Sequence, residues 1–85
     1  MVEPELTVVF DIAFEKALKK LKNPIKEQAK KKIKKIIDRP TMGKPMKYSR
    51  KGTREVYVGS FRMSYIYLKN ENTICFLDFY HKDQQ

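Results

Sequence analysis

Two runs late in the chain alternate apolar and polar residues in the manner of strands. Across residues 54–67, Val56, Val58, Phe61, Met63, Tyr65 and Tyr67 fall on one side of the alternation, with Gly59-Ser60 between the two halves. A two-residue Gly-X loop between β-rich runs predicts a hairpin. Pairing Val58 with Phe61 sets Tyr57 opposite Arg62 and Glu55 opposite Ser64, and directly opposite residues share a face. A polar turn at Asn70-Glu71-Asn72 leads into a last strand over 73–82. Taken as a three-residue turn, it pairs Ser64 with Asp78 and Arg62 with Tyr80. Cys75, Leu77 and Phe79 then join the apolar face, because a slip of one residue would bury Asp78. The expected polar face holds Tyr57, Arg62, Ser64, Asp78, Tyr80 and Lys82, with Ile66 and Phe76 further along it.

Earlier in the chain the period changes. Residues 6–10 form a short β-rich run with Leu6, Val8 and Phe10 on one face. Asp11 stands where a helix N-cap belongs. Phe14, Ala17, Leu18 and Leu21 recur at helical spacing and predict a helix over 12–22. Asn23-Pro24 reads as a cap followed by proline in the first turn of a second helix running to Asp38. Its buried stripe is Ile25, Ala29, Ile33, Ile36 and Ile37, and Pro40 closes it. Gly43 and Pro45 mark 41–47 as a loop crossing to the sheet. The fold class expected is α+β in the order β-α-α-β-β-β: one domain over 1–85, a twisted antiparallel sheet with a helical hairpin on one face.

Composition adds a charge. The 85 residues carry 19 Lys and Arg against 10 Asp and Glu, a formal net charge of +9. So basic a small domain suits a polyanion, whether nucleic acid, an anionic membrane or an acidic protein, although a lysine-rich surface also serves solubility alone. Lys26, Lys30, Lys31, Lys32, Lys34 and Lys35 crowd the second helix, answered there by Glu27 and Asp38. Either they form its solvated face or something anionic lies nearby. The basic segment with Lys47, Arg50, Lys51 and Arg54, beside Tyr48 and Gly52, reads as a polar turn or as a tracker of phosphates. One cysteine excludes an internal disulfide framework. No apolar run approaches the ~20 residues of a membrane span, the charged start is unlike a signal peptide, and a cytoplasmic protein is expected.

In order and spacing these pieces resemble the RelE/ParE superfamily of toxins from type II toxin–antitoxin modules, and within it the RelE-like branch. Nearly the whole chain takes part. The more specific segments are Gly59-Ser60-Phe61-Arg62-Met63-Ser64-Tyr65, matching the family's Gly-x-aromatic-Arg-x-x-Tyr hairpin, and the ending Tyr80-His81-Lys82-Asp83. The resemblance implies a ribosome-dependent endoribonuclease that cuts messenger RNA in the A site, uses no cofactor, and is neutralised by a RelB-like antitoxin in a hetero-oligomer. Arg62 matches the family's hairpin arginine, and Lys82 a basic residue near the C-terminus. Glu55 and Tyr57 stand where well-studied RelE-like toxins are basic, and the family's terminal tyrosine has no counterpart. A ParE-like gyrase inhibitor and a non-catalytic RNA- or ribosome-binding remnant are therefore the alternatives.

Cleavage without a metal needs a proton acceptor for the ribose 2′-OH, cations for the pentacoordinate phosphorus and a proton donor for the leaving oxygen. Arg62 suits the second task, its planar fork matching phosphate oxygens; otherwise it is a surface arginine paired with Asp78 or Glu55. Lys82 adds charge or accepts a proton, or is simply solvated. Tyr80 and Tyr57 offer phenol donors and flat faces, equally suited to a protein interface. His81 has the natural acid–base pKa, but the register turns it toward the core side or the edge. Ser64 and Asp78 are supporting residues, Asp78 as an orienter of Arg62. Cys75 reads as core, no metal-ligand spacing occurs, and the apolar part of the open face suits an amphipathic segment of a short, acidic antitoxin that folds on binding.

Overall fold

The computed structural model describes residues 5–46 and 52–84. Strand β1 (Thr7–Phe10) is followed by helices α1 (Ile12–Lys20) and α2 (Ile25–Asp38), then by β2 (Lys44–Pro45), β3 (Thr53–Val58), β4 (Phe61–Leu68) and β5 (Thr73–His81). A 3-10 turn over Lys69–Glu71 joins β4 to β5, and another over Lys82–Gln84 follows β5. The five strands make one sheet in the order β1-β5-β4-β3-β2. β1 runs parallel to β5 and every other pair is antiparallel, so the sheet is mixed rather than wholly antiparallel. The 41–47 stretch, expected as loop, supplies the edge strand β2.

Both helices cover one face of the sheet, α1 over β5 and α2 over β3. The core between the layers consists of Phe14, Ala29, Ile33, Ile36, Val56, Val58, Met63, Tyr65, Ile74, Phe76 and Phe79. Val8 and Phe10 of β1, and Leu6 just before it, pack on this core. Asp11 caps α1 as expected, its carboxylate accepting from the Ala13 N–H at 2.9 Å. Asn23 does not cap α2: Pro24 holds that position, without a side-chain cap. Of the stripe expected on α2, Ala29, Ile33 and Ile36 are buried and Ile37 is exposed.

The β3–β4 hairpin follows the predicted register throughout, from Val58↔Phe61 past Glu55↔Ser64 to Thr53↔Ile66. Gly59 takes a φ of 59° at the first turn position, where a two-residue turn requires a left-handed backbone. Between β4 and β5 the expected register holds only at the site end. Arg62↔Tyr80 and Ser64↔Asp78 pair as predicted, but Tyr65 then pairs with Phe76. Leu77 is thus the extra residue of a β-bulge. Beyond it the faces exchange: Ile74 and Phe76 enter the core, while Cys75 pairs with Ile66 on the open face. Three expectations are corrected here. Phe76 is fully buried rather than open, and neither Cys75 nor the bulged Leu77 belongs to the core.

A polar tie locks the α2–β2 connection to the sheet. The buried Tyr65 hydroxyl donates to the Pro40 carbonyl at 2.7 Å and accepts from the Gly43 N–H at 2.9 Å. From the other side Arg54 Nη1 donates to the carbonyls of Gly43 (2.8 Å) and Thr41 (3.1 Å). A Cβ on Gly43 would lie 2.6 Å from the Tyr65 hydroxyl, so glycine is required there for space.

Candidate functional site

The open face of β3, β4 and β5 gathers most of the residues singled out in the sequence. Alternation sends Glu55 and Tyr57 from β3, Arg62 and Ser64 from β4, and Asp78 and Tyr80 from β5 away from the helices. The Arg62 guanidinium lies over the Tyr57 ring, 5.1 Å from its centroid. Its Nη1 is 3.9 Å from a Glu55 carboxylate oxygen, while the other Glu55 oxygen accepts from the Tyr80 hydroxyl at 3.4 Å. Arg62 is therefore wedged between an aromatic face and an acid, with 27% of its side chain exposed. A planar cation held on two sides keeps its remaining donors aimed in a fixed direction, which suits a tetrahedral oxyanion.

Lys82 reaches the same place from the end of β5. Its backbone N–H donates to the Ser60 carbonyl at 2.9 Å, stitching the chain to the tip of the β3–β4 hairpin. A shallow cleft of about 250 Å³ opens there, lined by Tyr57, Gly59, Ser60, Phe61, Arg62 and Lys82. Two cations and an exposed tyrosine, from β3, β4 and the turn after β5, thus surround one cleft.

The remaining expected residues lie apart from it. Ser64 has the open-face parity but is fully buried, its hydroxyl donating to Asp78 at 3.5 Å. Asp78 holds that hydroxyl, and the acid described beside Arg62 is Glu55. His81 sits at the edge, as its register implies: its ring meets Phe61 edge-on at 5.2 Å, and Nδ1 accepts from the Asp83 N–H at 3.2 Å. Arg54 shares the parity of Val56 and Val58, and its guanidinium is employed in the Thr41 and Gly43 tie. Lys47, Arg50 and Lys51 lie outside the described residues. The Cys75 thiol is pushed up by burial and, secondarily, by the Asp11 carboxylate, so it is no thiolate at neutral pH. Among the described residues no three His, Cys, Asp or Glu side chains gather as a metal set, and no helix is long and apolar enough to cross a membrane.

Glu55 entered from the sequence only as an alternative surface partner of Arg62, and the structure has that pair within the candidate site. The signal was present: it faces Ser64 and lies one row from the Tyr57–Arg62 pair on the same face. A carboxylate beside Arg62 lowers the local positive potential while fixing the arginine's direction.

The fold recurs in known toxins. A chain of the RelBE2 toxin–antitoxin complex from Mycobacterium tuberculosis superposes with a TM-score of 0.78 at 24% identity, covering 92% of this chain and 99% of that one. A chain of the E. coli RelBE toxin–antitoxin complex gives 0.77 at 18%, covering 89% and 95%. The YoeB/ParE toxin from Agrobacterium tumefaciens gives 0.79 at 12%, covering 89% and 98%. At these identities the likeness speaks for the fold alone. No curated protein matches the chain in sequence. The family model describing the ParE toxin of type II toxin–antitoxin systems, parDE, matches residues 8–85, from the first strand through the last. By that match, and with the RelE-like layers to accompany it, the chain belongs to the ParE toxin family within the RelE/ParE superfamily.

Proposed function

We propose that this toxin cuts messenger RNA in the ribosomal A site without a metal ion, and that a RelB-like antitoxin holds it inactive. The observation that carries the reading is the cleft at the hairpin tip, where Arg62 and Lys82 flank Tyr57. In the reaction the ribose 2′-oxygen forms a bond to the adjacent phosphorus as the bond to the 5′-oxygen breaks. The 2′-OH gives up a proton and the departing oxygen takes one, leaving a 2′,3′-cyclic phosphate and a 5′-hydroxyl. Arg62 binds the non-bridging oxygens as their charge grows, Lys82 adds a second cation, and Tyr57 offers a flat face to a base. Tyr80, whose hydroxyl rests on the Glu55 carboxylate beside Arg62, is the proton-handling group of this reading, and His81, at the edge of the sheet, takes no direct part in it. The neighbours in E. coli and M. tuberculosis are toxin–antitoxin complexes by name, which supports the antitoxin partner.

Adding the purified protein to translating ribosomes and mapping message ends tests this. Codon-spaced cuts are expected, and Arg62→Ala lowers their rate by about 10²–10³, the usual loss when one preorganised charge-stabilising donor is removed. A second reading, inhibition of DNA gyrase, is favoured by the ParE family model and by the acid beside Arg62. Blocked supercoiling with intact message would select it.

A further inference from the structure

A second cleft adjoins the one at the hairpin tip. It also measures about 250 Å³ and is lined by Gln28, Lys31, Lys32 and Lys35 of α2 with Tyr57, Val58 and Gly59. Tyr57 and Gly59 belong to both clefts. On α2, positions 28, 31, 32 and 35 are three and four apart, so they share one flank of the helix. The ion pair described on α2 joins Lys30 to Glu27 at 3.8 Å. Among the described residues no acid pairs with Lys31, Lys32 or Lys35. Three like charges packed within one turn destabilise the helix slightly, and an anion in the cleft relieves that cost.

We infer that the α2 cleft binds the phosphate backbone of single-stranded RNA and continues the path from the Arg62–Lys82 cleft across Tyr57. The inference rests on reading the hairpin-tip cleft as an RNA site, and extends it with a binding subsite on the helix layer. The lysines line one of the two clefts that share Tyr57, and Arg62 and Lys82 line the other, which repeats the order phosphate, base, phosphate. Tyr57 is 54% exposed at the junction, where a base can stack on it. An acidic peptide would be satisfied by the lysines alone and would leave the aromatic junction without a purpose. The path therefore selects a strand with alternating anionic and planar units.

The test uses a labelled 2′-O-methyl RNA of about 12 nucleotides, within the span that single-strand sites cover. Such a strand lacks the attacking hydroxyl, so binding is read without cleavage. Replacing Lys31, Lys32 and Lys35 together by Gln keeps helix propensity, and an unchanged Tm checks the fold. The triple variant is expected to bind at least about tenfold more weakly at low salt. Its log–log salt slope should be shallower by about 2, the share of three single-strand phosphate contacts. Replacing the three by Arg should restore binding. Unchanged RNA affinity in the Gln variant overturns the inference, also where that variant has lost its hold on an acidic antitoxin peptide. Lysine-dependent RNA binding by a toxin that makes no cuts on ribosomes supports the path and overturns the endoribonuclease reading. Cuts by a toxin whose RNA binding ignores the three lysines do the reverse.

Discussion

Tyr65 shows how much one side chain can organise. Its ring is core and its hydroxyl closes two backbone groups that would otherwise be stranded, the Pro40 carbonyl and the Gly43 N–H. Burial is the larger influence on its acidity and holds the phenol above its ordinary 10.0, against the lowering effects of the Gly43 hydrogen bond and the Arg54 charge. A raised folded pKa means the folded state keeps its proton longer than the unfolded one. The contribution is thus fully present below about pH 10 and is lost as pH climbs through the folded value. Tyr65→Phe should cost about 1–3 kcal/mol at neutral pH by orphaning those groups. The gap to the parent should narrow in urea unfolding above pH 10. A second residue-scale prediction concerns Glu55, whose charge offsets that of Arg62. Glu55→Gln should tighten binding of 2′-O-methyl RNA about 2- to 5-fold at low ionic strength, a range typical of partly exposed pairs, with the gain fading as salt rises. Arg54 carries the lesson for reading sequence at this scale. It looked like a phosphate ligand because it ends a basic segment, yet its parity with Val56 and Val58 already turned it toward the helix side, where it ties Thr41 and Gly43.

Elements with strong local signals were legible, and those that depend on distant partners were not. The β3–β4 hairpin was fixed by one turn dipeptide and by clean alternation, so its cross-strand pairs, Tyr57 with Arg62 among them, followed directly. The β4–β5 register broke at Leu77 because Ile74-Cys75-Phe76-Leu77 is apolar at every position. A continuous apolar run fits either phase, and only packing against Phe14 and Tyr65 chooses between them. The site half of β5 was spared this ambiguity by Asp78, which cannot be buried cheaply. Asp11 was legible as the cap of α1 for a local reason too, its carboxylate being close to a free N–H. Asp11→Ala should lower stability by about 1 kcal/mol, visible as a shifted midpoint in denaturant with an unchanged slope. The lysines of α2 were visible as a charge run, but their meeting with Tyr57 depends on where the helix comes to rest over the hairpin tip. No period within α2 encodes that.

Across the whole molecule the net charge of +9 is less informative than its placement. Two adjoining clefts from different layers draw their cations from α2, β4 and the end of β5, and Tyr57 joins them. The family fold was readable as a sequence of elements, whereas the direction of β1 was not, because no local residue distinguishes a parallel from an antiparallel neighbour. That direction has a consequence for how the molecule comes into being. β1 is the earliest strand made, yet among the described strands it pairs with β5 alone, the strand that also bears Tyr80 and leads into Lys82. A growing polypeptide has no seat for its opening strand and no assembled poison until residues 73–81 have left the tunnel. Such late, long-range closure is slow by nature, so the Arg62–Lys82 cleft is among the last features of the molecule to take shape.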